Sequence, residues 1–237
     1  MKTQTLNLLK KEFVLGNSLQ SIIWSICCLA MYFIPSYPMY VGPFYITLCI
    51  FMTFALNQST HDILYTVLLP VKKTDVVRAR FLYCGMMEFF AILSALLACL
   101  IKNLAGFPEN KAGIDLTISF FGLLMIEFSI FNLIFLGNVY KNPLKSGLRF
   151  ILAAVIYFIM YAAFDFPVWT YRACVKKIAD GELQELNIIA KLGQIFTGQN
   201  ESILLQLCVL LLGLVIYVLT WLLTFRRAAK QFEKYNM

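Results

Sequence analysis

The chain has 237 residues, of which 60% are hydrophobic and 14% charged, and 20 Lys and Arg against 13 Asp and Glu leave a net charge of +7. A soluble domain carries about 25% charged residues, so the composition excludes a water-soluble globule and points to a protein solvated by a bilayer. The positive excess is then first a matter of which loops carry it, before nucleic acid is considered as a partner.

Taken in chain order, Thr3 to Gly16 places Leu6, Leu9 and Phe13 on one helical face with Lys10, Lys11 and Glu12 elsewhere, the pattern of a helix lying at a membrane interface. The apolar run from Leu19 to Ile34 is longer than the core of a cleaved signal and reaches Pro35 without a small-x-small cleavage site, so it reads as a retained span. Six segments, 19–34, 40–57, 81–101, 115–138, 149–165 and 201–225, approach the about 20 apolar residues that a spanning helix needs. They lack the two-residue alternation of a barrel strand, which leaves helices. The expected fold is therefore an all-α integral membrane protein forming a single transmembrane domain over 1–237.

With the N-terminus inside, one side of the membrane collects Lys2, Lys10, Lys11, Lys72, Lys73, Arg78, Arg80, Lys141, Lys145, Arg149, Arg226, Arg227, Lys230 and Lys234. The other side holds Lys102, Lys111, Arg172, Lys176, Lys177 and Lys191. The positive-inside rule then puts both termini in the cytoplasm. The outer segment 166–200 is too long for a tight turn, and its Ile178, Leu186, Ile189 and Leu192 among charges predict one or two short amphipathic helices before the last span.

Catalytic chemistry is thinly represented. There is no GxxxxGK[ST] loop, no HExxH, GxSxG or GxGxxG, and a single histidine, His61. One histidine cannot supply an intramembrane zinc site or a Ser–His pair. The seven cysteines contain no CxxC and read as small apolar fillers, so no metal is expected. Two carboxyls fall within spans: Glu127 near the middle of the fourth and Glu88 about two turns into the third. A carboxylate at the bilayer centre costs on the order of 3 kcal/mol, so each should face the bundle interior or water. Each is either a polar spot on a translocation path or a carboxyl hydrogen-bonded to a neighbour such as Asn132 or a tyrosine hydroxyl.

The loop 58–80 carries the most information. His61 to Leu69 can form a short helix that is apolar over much of its surface, and Pro70 breaks it by disfavouring helical geometry at Leu69. Thr74 can cap a new helix with Asp75 in its first turn, while Lys72, Lys73, Arg78 and Arg80 sit at the headgroup level, Arg78 and Arg80 as interface anchors. A plain connector needs neither this length nor this much apolar surface outside the bilayer. An apolar knob ringed by charge is what a docking helix presents.

The stretch HDILYTVLLPVKKTDVVRARF, His61 to Phe81, resembles the segment after the second span in permease subunits of bacterial type-2 ABC exporters, the kind encoded separately from their ATPase. Asp62, Tyr65, Leu69, Pro70, Val71, Lys72, Lys73, Asp75, Val76, Val77 and Arg80 fall on that pattern; Leu68 stands where members often have Ser. The resemblance implies two permease copies, identical or similar, lining a path across the bacterial plasma membrane above two ATPase subunits. ATP and Mg would be bound by those subunits and no cofactor by this chain. The short helix would be the coupling helix, with His61, Asp62, Leu64, Tyr65, Leu68, Leu69, Pro70, Lys72, Lys73 and Asp75 at the ATPase contact. Related systems move peptides, so the expected substrate is a hydrophobic or amphipathic peptide such as a toxin or bacteriocin. Two other readings remain open: a non-transporting immunity, sensor or scaffold protein, and an ion-coupled carrier using Glu127.

Overall fold

The structure, a computed structural model, describes residues 2–16, 19–60, 62–68, 70–108, 110–142, 145–180, 185–198 and 203–234. These form nine α-helices and no strand: α1 Lys2–Gly16, α2 Leu19–Met31, α3 Val41–Ser59, α4 Asp62–Leu68, α5 Lys73–Ala105, α6 Ile118–Ile134, α7 Ser146–Ala179, α8 Ile188–Thr197 and α9 Ile203–Glu233.

Local chemistry sets several of these limits. The Thr117 hydroxyl accepts the Phe120 N–H (3.3 Å) and starts α6. Gly106, at φ 64°, ends α5 in the left-handed turn that glycine adopts without strain. At the other end of α5 the cap position is held by Lys72, without a side-chain bond, so Thr74 lies inside the first turn rather than ahead of it. Asp75 is in that first turn, where the helix dipole favours a carboxylate.

α7 differs most from expectation. It does not stop at Asp165 but runs through Pro167 to Ala179, taking up nearly half of the 166–200 segment. Proline removes one backbone bond from a helix. The far half is held instead by tertiary bonds: Trp169 Nε1 donates to the Ala112 carbonyl (2.7 Å), and Arg172 donates to the carbonyls of Asn110 (2.6 Å), Lys111 (2.7 Å) and Gly113 (3.0 Å). That loop is also tied to the end of α5, where Lys102 Nζ lies 3.0 Å from the Asp115 carboxylate.

Four helices, α3, α5, α7 and α9, are long and apolar enough to cross a membrane, and a fifth span results if Gln4–Val14 and Leu19–Met31, bent by 83°, count as one. α6 is apolar but has 17 residues, and α2 has 13. Chains of exposed Leu, Ile and Val along α9 and α7 complete the picture of a multi-pass membrane protein.

α6 packs most extensively against α9, and the two backbones nearly touch where they cross. A Cβ added to Gly213 would lie 2.1 Å from the Gly122 carbonyl oxygen, and one added to Gly122 would lie 2.5 Å from that of Val209. Small residues permit such an approach between membrane helices. Gly213→Ala is therefore expected to destabilise the detergent-solubilised protein by about 1–3 kcal/mol, read as a lowered melting temperature. Gly147→Ala, where a Cβ meets nothing within 4 Å, should leave it unchanged or slightly raise it.

An aromatic layer joins α3, α6 and α7: Phe51 stacks on Phe150 at 4.3 Å, and Phe135 meets Phe54 at 5.5 Å and Phe131 at 5.4 Å. Beyond it lies the end of the bundle where α1 and the last turns of α9 pack. There Phe232 of α9 packs on Tyr140 (4.9 Å), Gln231 Nε2 donates to the Gly137 carbonyl (3.0 Å), and α1 lies along the start of α5.

Candidate functional site

The start of α5 follows Pro70 and carries Val76 and Val77 into the core. Arg80 comes four and three residues after them, so helical geometry turns it to the same inward face. Its side chain is 2% exposed. Both arginines were expected at the headgroup level; only Arg78 is exposed, pairing with Asp75 one turn back (3.0 Å). The difference follows from helix phase: Arg78 lies on the opposite face of the same turns.

Arg80 is the hub of a buried ionic junction. Its Nε donates to Glu12 of α1 (3.1 Å) and its Nη2 to Asp62 of α4 (2.5 Å). Lys11 of α1 donates to both Asp62 oxygens (2.8 and 3.0 Å) and to the Thr66 hydroxyl (2.7 Å). Asn57 at the end of α3 donates to the second oxygen of Glu12 (3.3 Å). The guanidinium carbon stands 6.0 Å from the centre of the Phe54 ring, the edge of the aromatic layer. Two cations thus face two carboxylates, and the junction is internally neutral. That balance, with charge-assisted bonds, is what lets ions persist out of water. Tyr140 borders Arg80; burial pushes its hydroxyl up to about 12 against the pull of the guanidinium, so it stays neutral.

The junction gives α4 two faces. Asp62 and Thr66, one turn apart, point inward and are buried. Tyr65 and Leu68 point outward, 69% and 74% exposed. A seven-residue helix cannot stand alone in water, so its position depends on the ion pairs beneath it. Of the other residues expected at this contact, Leu64 belongs to α4, while Pro70 and Lys72 are exposed in the turn that follows. Lys73 opens α5 and donates to the Glu233 carbonyl (3.5 Å), and Asp75 is buried beside Arg78. His61 and Leu69 lie outside the described residues.

The two intramembrane carboxyls have separate surroundings. Glu88 of α5 takes both kinds of partner foreseen for a buried carboxyl: Asn132 Nδ2 of α6 (3.2 Å) and the Tyr217 hydroxyl of α9 (2.5 Å). It therefore pins three helices together. Glu127 is also buried, beside Tyr157. The Tyr157 hydroxyl is spent on the Tyr40 carbonyl (2.9 Å), which leaves both Glu127 oxygens without a hydrogen-bond donor among the described residues.

Lys11, Glu12, Asn57, Thr66 and Tyr140 were not singled out from the sequence. The signal was there for Arg80: a lone cation in phase with Val76 and Val77 must be buried, and a buried cation needs acids. For Glu12 the helix phase was misjudged. α1 buries Leu8 and Glu12 and leaves Leu6 exposed, a face rotated from the Leu6–Leu9–Phe13 stripe. Among the described residues no group of three His, Cys, Asp or Glu side chains could hold a metal ion.

Comparison with known proteins agrees with this architecture. No curated protein and no solved structure matches the chain. A family model described as ABC-2 family transporter protein matches residues 7–227, nearly the whole length. The chain belongs to that family of transporter membrane proteins.

Proposed function

We propose that the chain is the permease subunit of an ATP-driven exporter, and that α4 is the helix through which a separate ATPase subunit drives it. Membership of the ABC-2 family implies an ATPase partner in general. The observation that carries the finer reading is the two-faced α4: Asp62 and Thr66 fasten it to the bundle while Tyr65 and Leu68 are offered outward. The ATPases bind ATP and Mg, and their closure pulls on α4 and, through Arg80, on α5.

In this reading two copies, identical or similar, enclose the path. Each contributes six spans, with α6 and the bent α1–α2 pair completing the set begun by α3, α5, α7 and α9. Both termini are cytoplasmic, in a bacterial plasma membrane. The cargo is a hydrophobic or amphipathic peptide, a class suggested by family resemblance and compatible with the aromatic interior.

The test is purification of the tagged chain from its native cells, followed by assay of the eluate for ATP hydrolysis and a P-loop subunit. An ATPase that elutes with the chain is the expected result. Its absence would favour an immunity or scaffold role. Glu127 motivates a second reading, an ion-coupled carrier, because its carboxyl is buried without a donor among the described residues. Uptake of an amphipathic peptide into inverted vesicles separates the two: it should require ATP and survive Glu127→Gln, whereas a carrier would run without ATP and stop with that change.

A further inference from the structure

At the end of α5 away from the Arg80 junction, the last turn of that helix, the 106–117 loop, the far half of α7 and the end of α8 enclose a cavity of about 410 Å³, within the about 300–1,000 Å³ range of small-ligand sites. Its lining is mixed. Phe107, Leu116 and Val175 are apolar, while Lys102, Asp115 and Arg172 carry charge. Phe107 and Val175 remain exposed, so the cavity is open to its surroundings.

The three charged groups differ in what they have left to offer. Asp115 is spent. One of its oxygens accepts from Lys102 Nζ (3.0 Å) and from the Leu116 N–H (2.8 Å), and the other accepts from the Asn110 N–H (2.9 Å). Lys102 is 9% exposed, and among the described residues its ammonium makes that one bond. An ammonium has three N–H groups to place, and buried donors are normally paired. Arg172 bonds to three neutral carbonyls and to no carboxylate among the described residues. Two cations against one carboxylate leave the lining with a net positive charge.

We propose that this cavity binds an organic carboxylate with an apolar body. The anion accepts the remaining N–H groups of Lys102, a charge-assisted pairing, and the body lies on Phe107, Leu116 and Val175. A cationic ligand would find the single carboxylate of the lining already taken. A wholly polar anion would leave the apolar wall without a partner. Such a carboxylate has two sources, the C-terminus of an apolar peptide and a free fatty acid. The inference is independent of whether an ATPase binds α4.

The test is calorimetric titration of the full-length chain in phosphatidylcholine nanodiscs, with empty nanodiscs as the blank. The ligands are N-acetyl-leucylphenylalanine and octanoate, each measured beside its own amide. At least one acid is expected to bind about tenfold more tightly than its amide, and the acid that does so identifies the source. Lys102→Met, which keeps the stem and removes the charge, should abolish that preference. Asn103 also lines the cavity and is exposed. Asn103→Asp cancels the net charge of the lining, so it should weaken the acid about fivefold and leave the amide and the melting temperature unchanged. That variant decides the matter if Lys102→Met, which also frees the 106–117 loop, fails to fold. Acids that bind no better than their amides overturn the proposal, and so does a preference of full size in Asn103→Asp.

Discussion

Arg80→Ala is expected to loosen α1 and α4 from the bundle and to lower the melting temperature on the order of 10 °C, because removing one member of a buried ion network costs about 3–5 kcal/mol. The loss is large because of what remains. Glu12 would keep a carboxylate buried with only the Asn57 amide and a distant Lys11 (3.7 Å) beside it. Asp62 would keep Lys11 but lose its shortest bond. Arg80→Lys should recover only part of the stability, since one ammonium on a shorter reach cannot bond Glu12 and Asp62 as the planar guanidinium does. Arg80→Met combined with Glu12→Gln and Asp62→Asn should recover more than Arg80→Met alone, because no buried carboxylate is left unpaired; Lys11 is 27% exposed and can turn to water. Melting curves of the four variants in one detergent decide the matter. An Arg80→Ala protein that melts with the wild type would show that the junction does not hold these helices.

Tyr65→Asp with Leu68→Asp is expected to behave in the opposite way: unchanged melting, lost partner. Both side chains point out from α4 and touch little of the bundle, and surface substitutions usually move stability by within about 0.5 kcal/mol. If α4 seats in an ATPase cleft, these two are its apolar anchors. Truncating or charging an interface hot spot typically costs about 2 kcal/mol or more, about thirtyfold in affinity. The measurement is ATPase recovered per permease from detergent extracts, with the melting temperature taken on the same preparations. Arg80→Ala should lower both the melting temperature and the ATPase recovered, and the double variant only the ATPase. Retention of the ATPase by the double variant at wild-type level would remove α4 from the interface.

The apolar runs were legible because burial in lipid writes itself as continuous hydrophobicity. α3 and α9 start within two residues of expectation, although α9 continues eight residues past its predicted end to Glu233. α7 was cut short because Pro167 and the charges after it look like a boundary from sequence, whereas Trp169 and Arg172 carry the helix on through bonds to a loop more than fifty residues away. α6 came out shorter than the run it belongs to, since Phe135 to Lys141 fold into turns although Phe135, Leu136, Val139 and Tyr140 are apolar and buried. The loop 58–80 was legible as a helix, a proline and a restart. Its anchoring was not, because one of the two acids that pair with Arg80, Glu12, lies 68 positions away on α1, and separation in sequence hides such pairings.

The length of α5 has a mechanical consequence. Its 33 residues contain no proline and form a rod about 50 Å long. One end is clasped by the Arg80 junction and the other by Lys102 on Asp115. A stiff rod with grips at both ends works as a lever arm. On the proposed docking of an ATPase at α4, a small tilt there would reach the far end of α5 without any relay of side-chain rearrangements, and the Glu88–Asn132–Tyr217 bonds near its middle stand where a fulcrum would.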